Sequence, residues 1–276
     1  MAGRVSVVTG ASGGIGKAAA TGLAARGATV VLVVRSRERG EAARDEIARA
    51  TGSRDLHVVL ADLSRQADVR RAADEIRARF GAVHVLLNNA ATFTARRKET
   101  EDGIELQWAV NHLAPFLLTN LLLPALAAAR PARVVTVSSD AHRSAALRWG
   151  DVQMRRGFYR GFRQYSNTKL ANILFTRELA RRAAPDGVTA NALHPGVVAT
   201  ELLLGGFPPL RLARRWLRTP EQGAATAVYL AADPAVAEVT GEYFIDNLPV
   251  PPSPAATDDE SARRLWQISE EMVGLK

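Results

Sequence analysis

The sequence predicts an α/β fold: one doubly wound domain with a parallel seven-stranded sheet and helices on both faces. Three observations carry this. Valine- and leucine-rich runs without polar alternation recur at 4–9, 29–34, 56–60, 83–87, 133–137, 188–193 and, more weakly, 241–245. A strand looks like this when helices bury both of its faces, as in a parallel sheet. Helical stretches separate the runs at 11–26, 38–50, 65–79, 101–128 and 164–182, so strand and helix alternate. Finally, the first strand passes into the first helix through a glycine-rich turn, Gly10 to Gly16.

Bulk numbers bound the rest. A chain of 276 residues can bury one full core, and the prediction is a single domain over 1–276, with a lid at 197–218 and a tail at 248–276. Hydrophobic content of 47% and charged content of 23% are those of a globular protein. The absence of cysteine excludes a disulfide framework, a thiolate nucleophile and Cys-based metal sites. It fits a reducing compartment, and the expected location is cytoplasmic. Residues 1–10 enter a strand at once, so no signal peptide is expected. No apolar run approaches the roughly 18 residues of a membrane helix. The longest, 113–129, is interrupted by Pro115, Asn120 and Pro124, so no membrane insertion is expected. The net charge is +8, but the arginines of 41–49 and 65–79 alternate with acids, as on a solvated helix face. No nucleic-acid partner is therefore predicted. The histidines lack metal-ligand spacing, and no metal is expected.

The later elements have their own signals. Pro115 lies where the helix over 101–128 should pass, which predicts a kink close to Asn111. After His194 the pattern loosens into a flap over a cleft, with Leu202, Leu203, Leu204, Phe207, Leu210 and Trp216. Those side chains suit a bulky hydrophobic small-molecule substrate. Thr219 starts a helix as N-cap, with Pro220 in its first turn and Gln222 three residues on. Four prolines within 248–254 exclude regular structure there. A closing helix follows over 258–273, with Leu265, Trp266 and Ile268 inward.

Two stretches carry chemistry. The turn Gly10-Ala11-Ser12-Gly13-Gly14-Ile15-Gly16 leads from a strand into a helix N-terminus, the context for binding a dinucleotide pyrophosphate. The second strand ends on Val34-Arg35-Ser36-Arg37, with no acid to hold a ribose 2′-hydroxyl. Arg35 and Arg37 could grip a 2′-phosphate, with Lys17 adding charge, so NADP(H) is favoured over NAD(H). In the helix over 164–182, Tyr165 and Lys169 are four apart and share a face. An ammonium beside a phenol draws its pKa down from about 10, which suits proton exchange with an alcohol. Ser139, from the fifth strand's tip, could hydrogen-bond the reacting oxygen.

These motifs, in register over nearly the whole chain, resemble the short-chain dehydrogenase/reductase family, which has a Rossmann-type fold. The matching residues are Thr9-Gly10-x3-Gly14-Ile15-Gly16, Asp62, Asn88-Asn89-Ala90, Asn111, Ser139, Tyr165-x3-Lys169 and Pro195-Gly196. Val110-Asn111-His112-Leu113 and Val137-Ser138-Ser139-Asp140-Ala141-His142 look most like its retinol-dehydrogenase branch, without the membrane anchor of many animal members. The resemblance implies an NADP-dependent oxidoreductase that interconverts alcohol and ketone or aldehyde. It makes Tyr165 the acid/base, Lys169 its tuner and a nicotinamide-ribose ligand, Ser139 the polariser, and Asn111 the holder of a relay water. Ser138 is structural. Cofactor contacts would come from Gly10, Ser12, Gly13, Gly14, Ile15, Gly16, Arg35, Arg37, Asp62, Leu63, Asn89, Ala90, Tyr165, Lys169, Pro195, Gly196, Val198 and Thr200. A homodimer or a monomer fits the branch. Ala91 departs from the family, which usually has glycine there. A non-catalytic nucleotide-binding sensor or scaffold of the same fold is the alternative. The basic segment 143–163 could steer an acidic or carrier-bound substrate, although a solvated loop explains it better.

Overall fold

The computed structural model describes residues 1–201 and 217–275. In chain order it contains β1 (Val5–Thr9), α1 (Gly14–Ala24), β2 (Thr29–Val34), α2 (Arg37–Thr51), β3 (Leu56–Leu60), α3 (Gln66–Phe80) and β4 (Val85–Asn88). Then come α4 (Leu106–Trp108), a π turn (Ala109–Leu113), α5 (Ala114–Ala128), β5 (Ala132–Val137), α6 (Gly161–Ala183) and β6 (Val188–His194). The chain closes with α7 (Pro220–Ala232), β7 (Tyr243–Ile245), β8 (Leu248–Pro249) and α8 (Asp259–Val273).

Among the described residues one sheet has the strand order β3-β2-β1-β4-β5-β6-β7-β8. The first seven pair in parallel, as the valine-rich runs predict. Alternate side chains feed two cores. Val7, Val31, Val33, Leu86, Val134 and Tyr243 pack with α3, α5, α6 and α8. Val8, Leu32, Val34, Leu87, Val135 and Phe244 pack with α1, α2 and α7. Strand order reverses between β1 and β4, which opens a crevice at their carboxyl ends, where ligands bind in such sheets.

Three expectations need correction. The sheet has an eighth strand, β8, in the proline-rich stretch that excluded regular structure; it pairs antiparallel through Phe244↔Pro249 and Ile245↔Leu248. Asp246 and Asn247 take φ of 51° and 64°, a turn that matches hairpin twist, and an edge strand tolerates a proline. The long helix begins at Leu106 rather than 101, with the buried Glu105 carboxylate capping the N–H groups of Gln107 and Trp108 at 3.0 and 2.8 Å. The span Leu106–Ala128 is, by length and composition, apolar enough to cross a membrane, contrary to the expectation from its prolines. Pro115 enters at the first turn of α5 and Pro124 sits within it without ending it. The span is a core element, however, with 72% of its apolar window buried inside the protein. Phe116 of α5 meets Trp266 of α8 edge-on at 4.9 Å and Phe175 of α6 at 5.7 Å.

The kink predicted from Pro115 takes the form of the π turn, in which the Ala114 N–H bonds the Ala109 carbonyl. A regular α-ladder would aim residue 115 at the Asn111 carbonyl, and proline has no N–H to give.

Candidate active site

The glycine-rich turn is built by contacts that only small residues allow. Gly10 takes φ +67° and donates its N–H to Val33 at 2.9 Å. A Cβ on Gly16 would lie 2.4 Å from the Gly10 carbonyl and 2.5 Å from Asn89 Nδ2, so α1 seats directly on the turn. Gly13 caps α1 without a side-chain bond, which leaves its first N–H groups for an anion.

The predicted cofactor residues divide by what the fold asks of them. Asn89 donates Nδ2 to the Thr9 carbonyl at 2.8 Å, while Thr9 Oγ1 accepts the N–H groups of Asn89 and Ala90 at 2.9 and 3.0 Å. Asn89 thus braces the turn from beneath. Asp62 spends Oδ1 on the Ser64 N–H and hydroxyl, at 2.9 and 2.7 Å, and Leu63 packs partly on the core. Val198 is 4% exposed and fills the space beside Gly223 and Ile15, so its side chain belongs to the core. Thr200 stands over the turn, with Cγ2 3.1 Å from where a Gly14 Cβ would be. Ser12 lies partly exposed on the turn, and Pro195 is buried where β6 ends. Gly196, with φ +84°, lies against Arg218. Arg218 pairs with Asp246, with Nη2 to Oδ2 at 2.9 Å, and residues 197–199 bridge its backbone. Both ends of the lid segment are thereby pinned. The apolar lid residues from Leu202 to Trp216 lie outside the described residues.

The arginines sort in the same way. Arg35 is exposed beyond β2, and Arg37 pairs with Glu41 at 3.5 Å. Lys17, expected to add charge for a phosphate, is spent on Glu46 of α2 at 2.5 Å. Arg39, which the sequence reading passed over, lies closer to the glycine turn, though it too pairs with an acid. Its Nη2 lies 3.7 Å from a Gly13 Cβ position and 3.0 Å from Glu201. Its signal was its place in the first turn of α2, beside Arg35.

The catalytic candidates converge from β5, α6 and the π turn. Strand and helix are tied at the site itself. Ser138 Oγ donates to the Lys169 carbonyl at 2.7 Å, and Lys169 Nζ donates to the Val137 carbonyl at 2.9 Å. Tyr165 shares a side-chain hydrogen bond with Ser139, and the Lys169 ammonium lies 5.5 Å from its ring centroid. Asn111 is fully buried and its amide is spent: Oδ1 accepts from Thr92 N–H at 2.7 Å, and Nδ2 donates to the Thr92 carbonyl and Thr168 Oγ1 at 2.9 and 3.2 Å. Phe93 meets Tyr165 edge-on at 6.1 Å. Ala91 has no left-handed φ, so its methyl group causes no backbone strain there.

Electrostatics differ from the expected tuning. Burial pushes Tyr165 up to about 12, with the Ser139 hydroxyl pulling the other way. Lys169, 1% exposed, is pulled down to about 7 by the same loss of water. At neutral pH the phenol therefore holds its proton, and the amine sits near its midpoint.

Comparison with known proteins shows the family. The family described as short chain dehydrogenase matches residues 4–205. The chain is a short-chain dehydrogenase. Human retinol dehydrogenase 14 is 40% identical over 295 residues, covering 100% of this chain and 88% of its own. That likeness places this short-chain dehydrogenase in the retinol-dehydrogenase-like branch of an oxidoreductase family. A solved protein from Mycobacterium paratuberculosis superposes with TM-score 0.82 at 35% identity, over 99% of this chain and 94% of its own. A Burkholderia cenocepacia short chain dehydrogenase, solved in complex with NADP, gives TM-score 0.71 at 29% identity, over 88% of this chain and 96% of its own.

Proposed function

We propose that this short-chain dehydrogenase is an NADP(H)-dependent enzyme that interconverts an alcohol and a ketone or aldehyde on a hydrophobic small molecule. The convergence of Ser139, Tyr165 and Lys169 at the carboxyl edge of the sheet carries this reading. The nucleotide end fits a nicotinamide dinucleotide, because the glycine turn is tight, the α1 N-terminus lacks a side-chain cap, and no acid follows β2. When bound, that cofactor would supply or accept the hydride. No acid follows β2, Arg35 is exposed at its end and Arg39 lies near Gly13, which favours NADP(H).

The chain's own groups handle the proton. Tyr165 gives its phenolic proton to a carbonyl oxygen that becomes an alcohol, and accepts one in the reverse direction. Ser139 donates to the same oxygen. Lys169 replenishes the phenol from a water held at the Asn111 backbone carbonyl, since the Asn111 amide is already committed. Phe93 supports an apolar substrate. The membrane-length span is spent on the core, which supports the expectation of cytoplasmic action without a crossing by that helix.

The test is Tyr165→Phe, assayed with NADPH and retinaldehyde. Turnover should fall at least about a thousandfold while NADPH binding, followed by fluorescence, stays within about twofold. Surviving turnover would refute the acid/base role. A wild type that binds NADPH and reduces no apolar aldehyde would favour the sensor alternative.

A further inference from the structure

The sheet alone does not hold the turn that carries Ser139. Strand β5 ends at Val137, and Ser139 heads the 3-10 turn Asp140–Ser144, where its hydroxyl accepts the Ala141 N–H at 3.2 Å. Its carbonyl is gripped twice by His142, by the backbone N–H at 3.0 Å and by Nδ1 at 2.8 Å. The other ring nitrogen, Nε2, faces the backbone N–H of Ser253 at 3.0 Å. A backbone amide only donates, so Nε2 accepts and Nδ1 carries the proton. The imidazole is 1% exposed and stands edge-on to Tyr243 at 5.1 Å. A second tie runs beside it: Arg143 Nη2 donates to the Pro251 carbonyl at 3.0 Å while its Nε donates to Asp140 at 2.7 Å. The flanking Pro249, Pro251, Pro252 and Pro254 restrict φ, so the Ser253 amide is held with little residual entropy to lose.

We propose that His142 is a positioning residue for Ser139, and that the proline-rich segment 249–254 is a working part of the active site that clamps the Ser139 turn through the Ser253 amide. This rests on Ser139 polarising the substrate oxygen, as proposed above. Such a clamp matters because displacing a reacting group by about 1 Å can cost about a hundredfold in rate. It requires the neutral ring, since a proton on Nε2 would set donor against donor. The titratable and charged groups facing His142 are Asp140 and Arg143 on its own turn, His194 at the end of β6 and Tyr243 on β7.

Ser253 has φ −66°, an angle that proline adopts, so Ser253→Pro deletes one N–H with little backbone cost. With NADPH and retinaldehyde, kcat should fall about tenfold or more while the NADPH Kd stays unchanged. The acid limb of the kcat profile should move to higher pH, because the neutral ring has lost its partner. His142→Asn keeps a donor near the place of Nδ1 but loses the Ser253 contact, so its kcat should exceed that of His142→Phe and lie near that of Ser253→Pro. Histidine ¹⁵N NMR on the wild type, assigned by the signal missing in His142→Asn, should show an Nδ1–H ring and needs no turnover. An Nε2–H ring would overturn the clamp. So would wild-type kcat and pH profile in Ser253→Pro, or a His142→Asn no faster than His142→Phe. A wild type inactive on apolar carbonyls would overturn the functional reading and the positioning role together, while the NMR still decides the tautomer.

Discussion

Lys169 is a buried amine whose only direct polar contact among the described residues is the Val137 carbonyl. Its pKa falls from 10.5 to about 7. Between those values the unfolded chain holds more protons than the folded one, so this group makes stability rise with pH. The cost is fully present below about 7 and is relieved toward 10.5. Lys169→Met should therefore stabilise the cofactor-free protein by about 1–2 kcal/mol near pH 6.5. The gain should shrink as pH nears 10, and turnover should vanish. Urea melts at the two pH values check the sign. A site residue that destabilises its own fold is the expected cost of keeping a tunable amine out of water. Arg35 makes the opposite case, exposed and with no ion pair among the described residues. Arg35→Ala should weaken NADPH about ten- to a hundredfold and NADH little, as side-by-side fluorescence titrations would report. Equal effects would remove Arg35 from the cofactor site.

At the scale of elements, the α4–π–α5 segment joins core and chemistry. Asn111 sits within the π turn, and Pro115 withholds the N–H that an α-helix would aim at its carbonyl. Pro115→Ala restores that donor. It should draw the turn toward regular helix, cap the Asn111 carbonyl and lower kcat about tenfold, with NADPH affinity kept. Unchanged kcat would mean that the carbonyl has no part in proton transfer. The kink itself was legible, because a proline inside an apolar helix pattern has few outcomes. Its π form was not, since that depends on how Trp108, Phe116 and Phe175 pack around His112.

Across the whole molecule, the last helix closes the core beside the site. Trp266 of α8 packs on Phe116 and stacks on Phe175, while the Arg182 guanidinium lies 4.5 Å from its ring. Asp259 joins Arg177 and Arg181 of α6 to the start of the same helix. Trp266→Ala should cost about 3–5 kcal/mol in urea unfolding, and a loss below about 1 would mean that α8 docks by its charges instead.

The sequence by itself determined the strand and helix order and the glycine turn, and it put forward Ser139, Tyr165 and Lys169 as candidates, because these readings depend on local period and motif. Tertiary structure decided which polar groups remain available for chemistry. Lys17 found Glu46, Asn89 turned beneath the glycine turn, and Arg39 came to lie beside Gly13. Burial, not a neighbouring ammonium, set the Tyr165 proton. His142 met the Ser253 amide 111 residues away. A hydrogen bond or a desolvation cost belongs to a pair or a cavity, and neither exists until distant segments of the chain are brought together.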